Sequence, residues 1–365
     1  MKNILELCLS NDLGGLELYM VRASHFLHDN ANVISVINEL GKLEQYYEET
    51  PFKYEKIKRT STFSSFFIAK KIAKIIDENK IDVVHLHWTK DIFVAVLAKL
   101  FSKQKPKLIQ TRNMTMTRFK DDFYHRWLYK NMDMMLAVTH QVKEQIERFV
   151  PQDIRPKVEV LYMGADIPKK LSEDEKQELR KKYLMSATFT VGIVGRIEET
   201  KGQYLVIDAV KKLLTKGKNV QALIVGHAMQ ESYLAKLKAE IQESGLEEKI
   251  IFTGFTREAQ ALMQICDCLV LATKRETFGL VLIEAMASGV AVIGSDSGGP
   301  LEIIEDAQSG LLFKTDDSTD LSQKIEALME DNFREKIALA GKARALEMFE
   351  SVKQFEKLHI LLQKN

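Results

Sequence analysis

Short apolar runs alternate with amphipathic stretches along almost the whole chain. "NILELCL", "NVISVIN", "IDVVHLH", "PKLIQT", "MDMMLAV" and "KVEVLY" each read as a buried strand. Between them "GLELYMVRASHFLHD", "FFIAKKIAKIIDENK" and "DIFVAVLAKLF" carry helical spacing. In the second of these, Phe67, Ile68, Ile72, Ile75 and Ile76 are set against Lys70, Lys71 and Lys74, so the apolar set is expected to face a core. The alternation stops at "DIPKKLSEDEKQELRKKY", residues 166–183, which is charged and has no strand pattern. It restarts with "TFTVGIVG", "NVQALIVG", "KIIFTG", "DCLVLAT", "VAVIGSD" and "GLLFKT". The pattern predicts two α/β domains, each doubly wound around a mainly parallel sheet. The first is expected over residues 1–166 and the second over 167–348. "SVKQFEKLHILLQKN" is a lone helix with no following strand, and its segment, residues 349–365, is expected to pack back on the first domain.

The 365 residues suffice for two such domains, and 45% hydrophobic with 28% charged residues fits a soluble globular class. "MKNILELCLS" is too soon interrupted for a secretory signal, and no apolar run approaches the ~20 residues of a membrane span. Cys8, Cys266 and Cys268 form no disulfide or zinc pattern, so a reduced, cytoplasmic setting is expected. The net charge of +1 hides an asymmetry. Lys53 to Lys130 holds 18 Lys and Arg against 7 Asp and Glu, which leaves −10 for the rest. A basic first half suggests an anionic partner. Its helix at 67–76 suits either an anionic membrane surface or a plain solvated face.

Candidate chemistry clusters at strand ends, where open α/β sheets bind ligands. "CLVLATKRETFGLVLIEAMAS" runs strand, loop, helix, with Glu276 before the helix start and Glu284 over a turn inside it. Free N–H groups near Phe278, Gly279 and Leu280 would form an anion site, and Gly279 allows close approach. Carboxylates hold phosphate poorly but accept hydrogen bonds from sugar hydroxyls well. A phosphate flanked by two sugars, a nucleotide sugar, satisfies both requirements. The alternative is a surface Glu pair beside an ordinary turn. "VGIVGRIEETKGQ" places Arg196 and Lys201 at another strand end, where two cations can neutralise a diphosphate without a metal; otherwise they belong to a solvated loop. Gly14-Gly15 in "SNDLGGLELYM" either admits the diphosphate or forms a plain turn, and G-x-G-x-x-G is absent, which disfavours a dinucleotide dehydrogenase. "SDSGGP" at 295–300 reads as glycine amides facing a cleft or as a turn needing unusual dihedrals. His85 and His87 share one face of a strand end, but a metal needs a third ligand, so structural or acceptor-side roles are preferred. "KDDF" at 120–123 matches an acidic metal motif only loosely. Arg112, Arg118, Lys120 and Arg126 suit an anionic acceptor or lipid head group.

Together these residues resemble the retaining glycosyltransferases of family four (group 1), of GT-B fold, across nearly the whole chain. The resemblance rests on "GRIEETKGQ", on Glu276 to Glu284 as E-x7-E, and on "SDSGGP", in that order. It implies two facing Rossmann-like domains around a central cleft, with a C-terminal helix crossing back. It further implies that Glu276 contacts the donor sugar, that the amides through Thr277, Phe278, Gly279 and Leu280 hold the diphosphate with Arg196 and Lys201, and that Glu284 holds the ribose. "FTGFTRE", with Phe255 and Arg257, matches the family's base-binding edge. No cofactor and no metal are implied, and the co-substrate is a UDP- or GDP-type sugar. Two positions depart. "TRNMTM" puts Asn113 where the family often has His, and an amide cannot act as acid or base. Met163 stands where Asn is frequent.

The expectation is therefore a metal-independent hexosyl-type glycosyltransferase, working in the cytoplasm or at the cytoplasmic face of the inner membrane. Its acceptor would be a glycan or lipid-linked glycan of cell-surface polysaccharide or lipopolysaccharide biosynthesis, with His85, Arg112, Asn113, Arg118 and Lys120 on the acceptor side and no nucleic-acid partner. The rival readings are a nucleotide-sugar epimerase or phosphorylase of the same fold, and a non-catalytic, membrane-associated nucleotide-sugar-binding protein.

Overall fold

The computed structural model describes residues 1–48, 50–59, 64–183, 185–186 and 188–364. The chain divides into two compact units, Met1–Met163 with Val352–Asn365, and Gly164–Ser351. Each is a parallel sheet with helices, the Rossmann-like architecture of the GT-B fold.

In the first unit the elements run β1 (Asn3–Cys8), α1 (Gly15–His28), β2 (Asn32–Asn38), β3 (Tyr54–Ile57), α2 (Ser65–Glu78), β4 (Val83–Leu86), α3 (Ile92–Phe101), β5 (Lys107–Arg112), α4 (Phe123–Lys130), β6 (Met134–Ala137), α5 (His140–Phe149) and β7 (Lys157–Val160). The strand order is β3-β2-β1-β4-β5-β6-β7, so the connection reverses direction between β1 and β4. β1 is buried from Ile4 to Cys8 because it is covered on both faces, which is why it reads as an apolar run broken only by Glu6. One core joins Leu5, Leu7, Val36, Val84 and Leu86 to Ile68, Ile72 and Ile76 of α2. β3 was not legible: it is a four-residue edge strand, "YEKI", with Glu55 and Lys56 exposed and only β2 beside it. Phe67 also departs from expectation. It lies outside the buried face of α2, 70% exposed, because Ile68, Ala69, Ile72, Ala73 and Ile76 already fill that face.

The second unit runs α6 (Glu173–Lys182), β8 (Phe189–Val194), α7 (Gln203–Thr215), β9 (Val220–Val225), α8 (Glu231–Glu243), β10 (Ile250–Gly254), α9 (Ala259–Met263), β11 (Cys268–Leu271), α10 (Leu280–Ala287), β12 (Ala291–Ser295), α11 (Pro300–Ile303), β13 (Leu311–Phe313), α12 (Ser318–Leu328) and α13 (Asp331–Met348). The order β10-β9-β8-β11-β12-β13 puts its reversal between β8 and β11. The charged stretch before β8 folds as α6 behind a capping box, in which Ser172 accepts from the Glu175 N–H at 3.2 Å and Glu175 accepts from the Ser172 N–H at 2.7 Å. Cys8, Cys266 and Cys268 are buried free thiols, and burial pushes all three thiols up in pKa.

The last helix, α14 (Ser351–Gln363), begins where the second unit ends, and from Val352 onward it belongs to the first. Phe355 packs against Tyr19 at 5.5 Å and Phe26 at 5.8 Å, both on α1, and Leu358 and Leu362 are fully buried. Leu358→Ala is expected to cost the first unit about 2–5 kcal/mol. Trp88 and Trp127, the chain's two tryptophans, both lie in that unit, so tryptophan fluorescence during urea unfolding reads it selectively. The expected result is a clearly lowered midpoint, whereas an unchanged midpoint would show that α14 does not belong to this core.

Candidate functional site

Three loops leave the carboxyl edge of the second sheet around its reversal point. The loop after β8 carries Arg196 and Lys201 and ends at Gly202, the cap of α7. The loop after β11 carries Glu276 to Gly279 into α10. The loop after β12 carries Asp296 to Gly299 into α11. The last two are tied backbone to backbone, with the Gly299 N–H donating to the Glu276 carbonyl at 2.9 Å. Side chains add to this: Ser295 Oγ donates to the Thr273 carbonyl at 2.8 Å and Ser297 Oγ to the Lys274 carbonyl at 3.1 Å. The glycine pair of "SDSGGP" is required by this approach. A Cβ on Gly298, whose φ is 71°, would stand 2.1 Å from the Glu276 carbonyl oxygen, and one on Gly299 would stand 2.0 Å from that of Phe278.

Gly279 caps α10 with φ 108°, and among the described residues no side chain caps that end. The first N–H groups of an eight-residue helix thus begin at the loop that the glycine pair fixes. Phe278 is 3% exposed and its ring meets Phe349 at 6.1 Å, so its side chain anchors the loop and only its backbone is available to a ligand. Thr277, Leu280 and Glu284 are half-buried. Lys201 and Glu276, distant in sequence, form an ion pair at 3.1 Å in which both side chains keep some solvent access. Arg196 pairs with Glu198 at 3.1 Å, and its carbonyl accepts from Gln203 Nε2 at 2.9 Å. The structure therefore brings Lys201, Glu276 and the start of α10 together, with Arg196 on the same loop as Lys201. Phe255 and Arg257 follow β10, two strands along the sheet, and both are exposed. Phe255 lies 6.0 Å from the ring of His227, a neighbour that sequence reasoning missed because His227 sits in another strand-exit loop. A separate concave surface of about 300 Å³, lined by Lys176, Arg180, Asp267 and Arg334 among others, opens at the amino edge of this sheet, away from the three loops.

In the first unit, Gly14 caps α1 in an extended conformation and Gly15 has open space around its missing Cβ. Asn113 is half-buried, and its amide oxygen and nitrogen are buried with no hydrogen-bond partner among the described residues. Arg118 is exposed and Lys120 half-buried, its amine lowered in pKa by burial and by Arg118 and Arg112. Two residues expected on the acceptor side are buried. Arg112 is 6% exposed and turned inward, donating to the carbonyls of Met114 at 2.8 Å and Thr115 at 3.0 Å and to Thr89 Oγ1 at 3.1 Å. It braces its own loop. His85 has no exposed surface, and its ring nitrogens are engaged by Glu6 at 3.0 Å and Thr111 Oγ1 at 2.7 Å.

The third group beside His85 and His87, unrecognised in the sequence, is Glu6. A lone acid inside the apolar run "NILELCL" was the available signal. One ligand atom from each lies within 4.8 Å of the others, as in a metal site, but the carboxylate is engaged by both imidazoles. Burial alone would raise the Glu6 carboxyl, yet the two rings hold it down to about 2. Burial, with His85 close by, pushes His87 down to about 4. The arrangement is a carboxylate held between two imidazole rings.

Residues 174–344 match the model of the glycosyl transferases group 1 family, and residues 6–142 match that of the glycosyl transferase 4-like family. The chain belongs to the group 1 glycosyltransferases. It is 24% identical over 333 residues to N-acetyl-alpha-D-glucosaminyl L-malate synthase of Bacillus anthracis, covering 87% of this chain and 86% of that protein. It is 27% identical over 303 residues to N-acetylgalactosamine-N,N'-diacetylbacillosaminyl-diphospho-undecaprenol 4-alpha-N-acetylgalactosaminyltransferase of Campylobacter jejuni, covering 79% of this chain and 78% of that one. Among solved structures it matches HepE of Anabaena in complex with UDP and glucose over 100% of both chains, with a TM-score of 0.86 and 23% identity.

The buried network gives the first unit an acid-labile component. His87, depressed to about 4, is neutral when folded but takes a proton below its ordinary value when unfolded, so its contribution falls away as pH drops from about 6.5 to 4. Glu6, depressed to about 2, loses its contribution below that, as pH falls through its folded value. Asp91, pushed up to about 7 by burial, works in the opposite sense, its contribution being lost as pH rises through about 7. Comparison with His87→Gln isolates the first effect. Unfolding free energies from urea titrations read by tryptophan fluorescence are expected to fall further from pH 7 to pH 4 in the wild type than in the variant, by up to about 3 kcal/mol. Parallel pH profiles would contradict the assignment.

Proposed function

We propose that the chain is a retaining glycosyltransferase that transfers a sugar from a UDP- or GDP-type nucleotide sugar to a hydroxyl of a glycan or lipid-linked glycan, in the building of cell-surface polysaccharide or lipopolysaccharide. The observation that carries this reading is the convergence of Lys201, Glu276 and the uncapped start of α10 at the reversal point of one sheet. Support comes from family membership, from a structural relative that holds UDP and glucose, and from a relative whose acceptor is named as a diphospho-undecaprenol.

In this reading the Lys201–Glu276 pair opens when the donor enters. Lys201 and Arg196 turn to the diphosphate, and the amides from Phe278 to Leu280 meet the same oxygens. Glu276 accepts hydrogen bonds from the hydroxyls of the sugar, and Glu284 from those of the ribose. As the glycosidic bond breaks, negative charge grows on the diphosphate, and these fixed donors hold it better than they hold the ground state. The acceptor hydroxyl attacks from the face that the leaving group vacates and gives its proton to a phosphate oxygen. No side chain serves as nucleophile, and the two cations supply the charge that a divalent ion would otherwise bring. The partially solvated ion pair is worth little by itself, roughly 0–1 kcal/mol, so the donor displaces it at small cost.

The test is nucleotide release from a panel of UDP-, GDP- and ADP-sugars, with a membrane extract as acceptor source. Acceptor-dependent release from one donor is expected, with turnover reduced ~100-fold or more in both Glu276→Ala and Lys201→Ala. Isomerised sugar, or release that requires phosphate, would replace this reading with an epimerase or a phosphorylase. Tight binding of one donor without release, whatever the acceptor, would make the chain a binding protein.

A further inference from the structure

α11 is four residues long, too short to hold its own shape, yet the glycines that lock the loop after β11 lead straight into it. Two neighbours keep it in place. One is β12, on which it lies flush: a Cβ on Gly294 would stand 2.9 Å from both Pro300 Cβ and Ile304 Cδ1. The other is α13, which reaches it through Arg344. The guanidinium donates from Nε to the Ile303 carbonyl at 2.7 Å and from Nη2 to the Glu302 carbonyl at 3.0 Å, and Nη1 meets the Glu305 carboxylate at 2.5 Å. In so short a helix the last carbonyls lie beyond the reach of its own N–H groups, and Arg344 supplies the donors.

The brace itself is firmly seated. α13 buries Ile337, Gly341 and Ala345. Gly341 brings its backbone close to its neighbours: a Cβ there would stand 2.7 Å from the Ser309 carbonyl oxygen and 3.5 Å from Met286 Cγ on α10. Arg344 follows three residues later, with its side chain 21% exposed and that of Glu305 52%. The ion pair is thus partly solvated and contributes little, while the two carbonyl bonds fix the geometry. A planar guanidinium reaches both carbonyls and the carboxylate at once, which an ammonium on a flexible stem does not. The contacts then run in series. Arg344 holds the carbonyls of Glu302 and Ile303, α11 begins at Pro300, and the Gly299 N–H just before it donates to the Glu276 carbonyl at 2.9 Å. The partners of Arg344 lie beyond the glycine pair, not at Lys201, Glu276 or Gly279, so it acts through the backbone. We propose that Arg344 is a positioning residue for the donor site, seating α11 so that Gly298 and Gly299 hold the Glu276 loop and the start of α10 in place. The proposal rests on the donor reading of this edge.

The experiment joins amide hydrogen exchange of the full chain to calorimetry with UDP and with GDP. Arg344→Lys keeps the charge and the reach to Glu305 but loses the fork. Its Gly299 amide is expected to exchange ~10-fold or more faster than in the wild type, while the amides of β9 exchange at the same rate, which shows that the second unit is folded. The nucleotide that the wild type binds is expected to bind this variant ~5-fold or more weakly. Glu305→Gln, which removes the ion pair alone, is expected to change neither readout. Arg344→Lys combined with Gly299→Ala is expected to bind at most ~2-fold more weakly than Gly299→Ala alone, since both act through one contact. An arginine that only stabilised the unit would multiply the two losses. Unchanged Gly299 exchange, unchanged affinity, or multiplied losses would overturn the proposal. A wild type that binds neither nucleotide would instead overturn the donor reading, and the Gly299 exchange rate would still decide whether Arg344 holds the two loops together.

Discussion

The Glu276 carbonyl accepts the Gly299 N–H at 2.9 Å, and two glycines let the backbones meet that closely. On this contact the geometry of the second unit's carboxyl edge depends. It fixes the loop after β11 against the loop after β12, and so fixes where Gly279 starts α10 and where Glu276 meets Lys201. A site that works by electrostatic stabilisation gains from donors that are already aimed, since no reorganisation is then needed as charge develops. Backbone amides held by backbone contacts serve this better than long side chains on open loops. Phe278 adds to the rigidity by burying its ring and leaving only its main chain at the site.

The first unit treats its polar groups differently. Glu6, His85 and Thr111 satisfy one another inside the sheet, and Arg112 braces the loop that follows its own strand. Asp91, fully buried, accepts the Leu9 N–H at 2.8 Å and pairs with Arg59. Such networks bind elements to one another and leave little charge for a ligand. What the unit offers outward is the exposed Arg118, the half-buried Lys120, and the aromatic, lysine-rich surface of α2 and α3.

The sequence made the sheets legible because strands covered on both faces read as apolar runs, as "CLVL" and "MMLA" do. It hid β3, whose edge position removes that requirement. That Lys201 and Glu276 each follow a strand and precede a helix was legible, but that they pair was not. What the glycines of "SDSGGP" do was only half legible: their need for unusual backbone was visible, their role as a spacer against another loop was not. The buried polar groups were the least legible of all. Whether Arg112 points outward or in, and whether Glu6 meets His85, is decided by strand neighbours, β1 beside β4 and β4 beside β5, that no local pattern encodes.

The measurement that tests the account most directly is the affinity of the chain for UDP and for GDP, by calorimetry, in the wild type and in Gly299→Ala. The added methyl group meets the Phe278 carbonyl and removes no side chain from the site. The account predicts that one nucleotide binds the wild type and binds the variant ~10-fold or more weakly, while tryptophan-monitored unfolding of the first unit is unchanged. Equal affinity in the two proteins would mean that the locked loops do not form the donor site.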